Sequence, residues 1–306
     1  METFGARPSR RTLLALGTGT ALAAAVSTGG TARAAPPGGR GGLSRALRGL
    51  EREHSARLGV YARNTVTGRS VRYRAEETFP ICSVFKTLAA AAVLRDLDRN
   101  GEFLAQRIRY TERDVTDVGH VPVTGRPENL AGGMTVAELC DATITHSDNA
   151  AGNLLLRELG GPTAITRFCR SIGDRTTRLD RWEPELNSAE PWRVTDTTSP
   201  AAIGRTYAEL TLGGALDRRD RRQLTDWLLA NTTSTYRFRA GLPDDWVLGD
   251  KTGSGRYGTA NDVGITWTPE GAPVVLAVLS TKHEPDAPAD DPLIAKTAAL
   301  LAAALG

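Results

Sequence analysis

Apolar and polar positions alternate at period two in Leu58-Gly59-Val60-Tyr61-Ala62 and again in Ser70-Val71-Arg72-Tyr73. Between them lies the turn-forming run Asn64-Thr65-Val66-Thr67-Gly68, so this stretch predicts a β-hairpin. A polar helix is expected before it, around Leu43 to His54. From Val84 to Leu97 the chain is rich in Ala and Leu and free of Gly and Pro, which predicts a buried helix. Shorter helical segments follow to about Asn231. Strand patterns return at Trp246 to Asp250, Ala260 to Thr268 and Val274 to Thr281, and an Ala/Leu helix from about Pro292 to Leu305 closes the chain. Strands at both ends of a helical block predict an α+β fold. One antiparallel five-stranded sheet, built from both ends of the chain and flanked by the terminal helices, packs on a mainly helical second lobe. The expected lobes are 43–80 with 232–306, and 81–231.

The first 34 residues stand outside this pattern. Arg10-Arg11 precedes a weakly apolar Ala/Leu/Gly stretch ending near Val26, and Ala32-Arg33-Ala34 supplies the small residues of a cleavage site. Residues 1–34 therefore read as a cleaved export signal and 35–42 as a Pro/Gly linker. The apolar run is too short for a stable membrane anchor. The arginine pair resembles a twin-arginine signal, whose export machinery is then an expected partner, although an ordinary secretory signal can also carry two arginines. A secreted mature chain is expected. The segment also decides the charge argument: Arg7, Arg10, Arg11 and Arg33 against Glu2 account for the whole formal +3 of the 306-residue chain. A near-neutral mature protein gives no reason to expect a nucleic-acid partner. Cys82, Cys140 and Cys169 are an odd set without metal or redox spacing, and the four histidines lack the spacing of a shared metal site. No metal or cofactor is expected, and a monomer is.

Three short motifs carry chemistry. Ser83-Val84-Phe85-Lys86 sets a hydroxyl and an amine three residues apart at the start of the buried helix, on one side of it. A buried lysine can lose its proton and serve as a base, whereas an arginine cannot. Ser-x-x-Lys arises about once by chance in a chain of this length. This chain, however, holds only four lysines, Lys86, Lys251, Lys282 and Lys296, and otherwise uses arginine. Ser147-Asp148-Asn149 forms a polar turn between helical segments; it can cap a helix, or offer a second hydroxyl and a carbonyl-binding amide. Lys251-Thr252-Gly253 sits on a strand, where Gly253 would let a ligand lie along the edge.

In this order the motifs resemble the active-site set of penicillin-recognising serine enzymes. Arg178-Leu179-Asp180-Arg181-Trp182-Glu183-Pro184-Glu185-Leu186-Asn187 resembles the omega loop of class A β-lactamases in particular, and secreted actinomycete members most. The resemblance spans nearly all of the mature chain, including Pro122-Val123-Thr124 and Gly133-Met134-Thr135-Val136. It implies Ser83 as nucleophile and Lys86, or Glu183 through water, as the acylation base. Ser147 would be a proton relay, and Glu183 with Asn187 would hold the deacylating water. The backbone N–H groups of Ser83 and Ser254 would form the oxyanion hole, with Asn149, Thr252, Gly253 and Lys251 around the substrate. Arg181 and Asp196 would pair across the loop base. Departures are visible too. His120 stands where an aromatic often lines the pocket rim, and Ala260 where many members carry a carboxylate-binding arginine. Arg237 would supply that group from an earlier segment. Cys82 precedes the nucleophile, but its disulfide partner in some relatives would fall at Gly255, and the partner of Cys140 at Ala90. The implied substrates are small-molecule β-lactams of the penicillin type. A D,D-peptidase or a penicillin sensor would share the serine and lack a deacylating glutamate.

Overall fold

The computed structural model describes residues 40–306; the export-signal reading of 1–34 and most of the linker lie outside the described residues. Five antiparallel strands form one sheet in the spatial order Ser70–Tyr73, Arg57–Asn64, Pro273–Thr281, Thr259–Trp267, Val247–Gly255. The amino-terminal hairpin thus pairs with the last strand, with Val60 opposite both Tyr73 and Val278. At the hairpin turn the Asn64 side chain accepts from the backbone N–H groups of Val66 and Thr67, which replaces ladder bonds lost at the bend.

Both faces of the sheet are covered, which explains why Val274-Val275-Leu276-Ala277-Val278-Leu279 is a continuous apolar run. Val274, Leu276 and Val278 point with Val60 and Leu58 toward the terminal helices Arg40–Glu53 and Asp291–Leu305, where they meet Leu47, Ile294 and Leu301. The intervening Val275, Ala277 and Leu279 pack with Tyr61, Phe79 and Ile203 on the opposite face. Helix Pro200–Thr211 lies directly on that face. Gly204 has no side chain because a Cβ there would sit 2.5 Å from the Tyr61 ring.

The buried helix expected over Val84 to Leu97 has three parts. A 3-10 turn at Cys82–Val84 enters the α-helix Phe85–Ala92, and a π-helical turn at Val93–Leu97 leaves it. Every residue from Phe79 to Leu94 is buried, so tertiary packing, not propensity, sets this geometry. Helices Val136–Thr145, Asn149–Glu158, Thr163–Ser171 and Arg218–Leu229 surround it. The first of these opens on a capping box between Thr135 and Glu138. The strand patterned from Trp246 to Asp250, and expected to carry Lys251-Thr252-Gly253, runs from Val247 to Gly255, because Thr259–Trp267 pairs with its whole length. No helix among the described residues is long and apolar enough to cross a membrane.

Candidate active site

The serine stands where three pieces of chain are tied together. Phe79 and Pro80 pair with Thr198 and Thr197, the Ile81 N–H donates to the Asp196 carbonyl, and the Asn261 amide donates to the carbonyls of Pro80 and Ile81. Cys82 then adopts φ +45°, a left-handed conformation costly for a residue with a Cβ, and opens the 3-10 turn that carries Ser83 into helix Phe85–Ala92. The neighbouring strand comes against this turn because residue 253 is glycine. A Cβ there would lie 3.2 Å from both the Ser83 nitrogen and the Ile81 carbonyl oxygen. Gly255 has the same function two residues on, since its Cβ would sit 2.8 Å from Cys82 Sγ. Cys82, Cys140 and Cys169 are all free and buried, and burial raises each thiol far above its ordinary range.

Beneath the serine, Lys86 is completely buried and its Nζ donates to Asn149 Oδ1 at 2.6 Å and to the Ser147 carbonyl at 2.8 Å. It stands 3.1 Å from Glu183 Oε1 and 3.4 Å from Ser147 Oγ. Burial pushes the Lys86 amine below its ordinary value, and the Glu183 charge pulls back against that shift. Lys251 is equally buried; its Nζ donates to Ser147 Oγ at 3.0 Å and to the Thr252 carbonyl at 2.8 Å. Burial and then the Lys86 charge hold it well below the ordinary lysine range. Ser147 Oγ therefore sits between two amines. Its left-handed backbone, φ +56°, is tolerated because Asp148 anchors the turn by accepting from the N–H groups of Val123, Thr124 and Ala151. Asp148, not Ser147, caps the following helix.

Glu183 is 2% exposed. Its Oε1 accepts from Ser83 Oγ at 3.4 Å and its Oε2 from the Asn187 amide. Asn153 clasps its backbone on both sides, accepting from Glu183 N–H at 3.0 Å and donating to the Glu183 carbonyl at 2.9 Å. The loop closes at its base through Arg181 Nε and Asp196 Oδ2, 2.6 Å apart.

Above this floor lies a cleft of about 310 Å³ lined by Ser83, His120, Ser147, Asn149, Asn187, Thr233, Arg237, Thr252, Gly253 and Ser254. The structure thus gathers every site residue expected from sequence, with Lys86, Glu183 and Lys251 buried under the cleft. His120 is exposed at its edge, with Nε2 3.0 Å from the His146 carbonyl. Arg237 is nearly buried. Its Nη1 donates to the carbonyls of Gly253 and Asn261, its Nη2 to Ser254 Oγ at 2.6 Å, and its Nε pairs with Asp291 at 2.7 Å. Ala260, opposite Ser254, leaves that space to the arginine. Sequence reasoning missed Thr233, whose hydroxyl meets Thr252 Oγ1 at 2.5 Å, and Asn153. Asn153 is legible afterwards: it lies one helical turn after Asn149, on the same side. The arrangement can generate a nucleophilic hydroxyl, bind an anion beside it and hold a carboxylate base against it.

Residues 42–305 match the Beta-lactamase enzyme family. The chain is 70% identical to a β-lactamase of Streptomyces lavendulae over 306 residues, all of both chains. It is 65% identical over 314 residues to that of Streptomyces albus G, again with complete coverage. The solved structure of the Streptomyces albus G β-lactamase superposes with a TM-score of 0.86 at 68% identity, covering 86% of this chain and 99% of that one. A β-lactamase structure from Streptosporangium roseum gives 0.82 at 44% identity, covering 86% and 98%.

Proposed function

The chain belongs to the Beta-lactamase enzyme family, and from that premise we propose how its residues work as a class A serine β-lactamase, opening the ring of penicillin-type antibiotics through a serine acyl-enzyme and so conferring resistance. Ser83 attacks the lactam carbonyl. Glu183 Oε1 accepts from its hydroxyl and stands 3.1 Å from Lys86 Nζ, so Lys86, or Glu183 through water, takes the proton, and loss of Glu183 alone leaves acylation a base. The N–H groups of Ser83 and Ser254 receive the developing oxyanion. Ser147, between Lys86 and Lys251, passes a proton to the departing nitrogen. Thr233, Thr252 and Arg237 bind the substrate carboxylate, Arg237 through the guanidinium face toward Ser254. Asn149 and Gly253 flank the acyl side chain, and His120 meets it at the rim.

Deacylation decides between this reading and a peptidase or sensor. The observation that carries it is Glu183 set against Ser83 Oγ with its second oxygen held by Asn187. Asn187 Oδ1 is buried with no protein partner among the described residues, which suits it to hold a water for attack on the ester. The test is steady-state hydrolysis of a penicillin and a chromogenic cephalosporin. Ser83→Ala is expected to abolish turnover, and Glu183→Ala to accumulate a covalent adduct visible by intact mass. A stable adduct on the unsubstituted protein would overturn the reading in favour of the peptidase or sensor. Export through an amino-terminal signal, by the twin-arginine route, completes the proposal. A mature amino terminus near Ala35 in protein recovered from culture medium would support it, and an uncleaved chain would refute it.

A further inference from the structure

Behind the carboxylate-binding wall, the strands Val247–Gly255 and Thr259–Trp267 bury two acidic side chains, Asp250 and Asp262, neither of them exposed at all. Gly264 stands opposite Asp250 and makes room for it, since a Cβ there would lie 2.7 Å from Asp250 Cβ. Each carboxyl has one oxygen committed. Asp250 Oδ1 accepts from the Asn231 amide at 2.9 Å, and Asp262 Oδ2 accepts from the Phe238 N–H at 3.1 Å. The other two oxygens, Asp250 Oδ2 and Asp262 Oδ1, have no partner among the described residues, and the strand register, Asp250 opposite Gly264 and Asp262 opposite Thr252, makes the two residues diagonal neighbours on one face of the sheet. Two buried carboxylates cannot face each other both ionised, and two unpaired buried oxygens are costly.

We infer that Asp250 and Asp262 share a single proton, and that this O–H···O bond makes them positioning residues for both ends of the carboxylate-binding wall. The chain of bonds runs through it without a break. Thr233 donates its N–H and its hydroxyl to Asn231 Oδ1, and Asn231 donates to Asp250. Asp250 is linked by the proton to Asp262, and Asp262 receives the N–H of Phe238, the residue after Arg237. Burial first, and then the Asp250 charge, hold the Asp262 carboxyl well above the usual range, as a shared proton requires. Arg237, Lys251 and Tyr207 are the other titratable groups that couple electrostatically to the pair. The positioning role rests on the reading above that Thr233 and Arg237 hold the substrate carboxylate; the shared proton does not.

Isosteric substitution tests it, because the outer partners fix which way each amide must point. In Asp250→Asn or Asp262→Asn the oxygen accepts from its outer donor, and the new NH₂ replaces the shared proton. In the double variant both NH₂ groups face each other, and neither can turn without confronting Asn231 or the Phe238 N–H. Each single variant is expected to melt within about 3 °C of the unsubstituted protein and the double variant about 5–10 °C lower. The double variant should also show KM raised about fivefold or more, with kcat changed less, while the singles keep KM within about twofold. Singles as damaged as the double would overturn the shared proton, as would a double variant that melts normally. A normal KM in the less stable double would overturn the positioning role. Arg237→Ala, measured beside them, distinguishes that failure from an error in the carboxylate-wall reading, since it must itself raise KM. If the double variant does not fold, infrared difference spectroscopy decides. The carbonyl stretch of a protonated carboxyl should be present at neutral pH and vanish in both single variants; its persistence in both would refute the inference.

Discussion

Asp196→Ala is the perturbation that separates the two halves of the proposed reaction. The side chain is 1% exposed and accepts three hydrogen bonds, from Asp180 N–H at 2.8 Å, Arg181 N–H at 2.9 Å and Arg181 Nε at 2.6 Å. Alanine removes the nearest charge partner of a partly buried guanidinium, which is left with Glu190 at 4.0 Å, and strands two backbone donors. Each stranded donor costs about 1–3 kcal/mol and the lost charged bond a similar amount, but the three share one acceptor and are not additive. Asp196 also holds φ +55°, which alanine tolerates less well than aspartate or asparagine. A loss of about 3–5 kcal/mol follows, a large share of an ordinary domain stability. Urea unfolding measures it, with Asp196→Asn as the companion that keeps the backbone preference and one acceptor and should lose about half as much.

The kinetic consequence is asymmetric. Asp196 still supplies its backbone carbonyl to Ile81, so the Ser83 turn keeps its support. The loop bearing Glu183 and Asn187 loses its base. Acyl-enzyme should form and then hydrolyse slowly, giving a burst followed by a depressed steady state. A stability loss under about 1 kcal/mol would refute the accounting of buried donors. Parallel loss of acylation and deacylation would refute the idea that the loop serves mainly the second step.

Two further outcomes are expected. Asp291 stands 2.7 Å from Arg237 Nε and is about one-third exposed, so its charge competes with a substrate carboxylate at a solvent-screened site. Asp291→Asn keeps an acceptor while removing the charge, and should lower KM by about two- to fivefold with kcat little changed; a raised KM in steady-state assays would contradict this. Lys251 titrates in the fold well below its ordinary 10.5. Between those values the unfolded chain holds a proton that the folded protein lacks, so the Lys251 contribution to stability rises with pH across that window. In urea melts at neutral pH and about pH 9.5, any stability advantage of Lys251→Met over the unsubstituted protein should therefore shrink as pH rises. An advantage that fails to shrink would show that Lys251 keeps its proton.

The features legible in the sequence are those that local patterning encodes. Alternation gives the hairpin, short apolar runs give the last two strands, and the Ser83-x-x-Lys86, Ser147-Asp148-Asn149 and Lys251-Thr252-Gly253 motifs mark the site because each is contiguous. What escaped depends on partners far along the chain. The strand pattern leading to Lys251 is explicit only from Trp246 to Asp250; its length to Gly255 comes from pairing with Thr259–Trp267, and Gly253 and Gly255 let that end lie against Ser83 and Cys82. Helix Pro200–Thr211 has the pattern of any amphipathic helix, and only the bare flank of Gly204 against Tyr61 reveals that it covers the sheet. Thr233 and Asn153 carry no motif of their own; their roles come from Thr252 and Glu183, which touch them across the fold.

Charge balance links the site to its ligand. Lys86 is paired with Glu183 and Arg237 with Asp291, each at hydrogen-bonding distance. Lys251 has no carboxylate partner among the described residues and bonds only a hydroxyl and a carbonyl. Burial, and then the Lys86 charge, depress the basicity of this amine, and no carboxylate among the described residues bonds to it to offset them. In the proposed reaction a substrate carboxylate entering beside Thr252 adds negative charge there, which favours protonation of Lys251 as binding proceeds. The proton gained there is adjacent to Ser147, which in the proposed reaction delivers one to the departing nitrogen. In the proposed reaction the depressed basicity of Lys251, which costs the free protein stability, is recovered as affinity for an anion and as a primed donor for the leaving group.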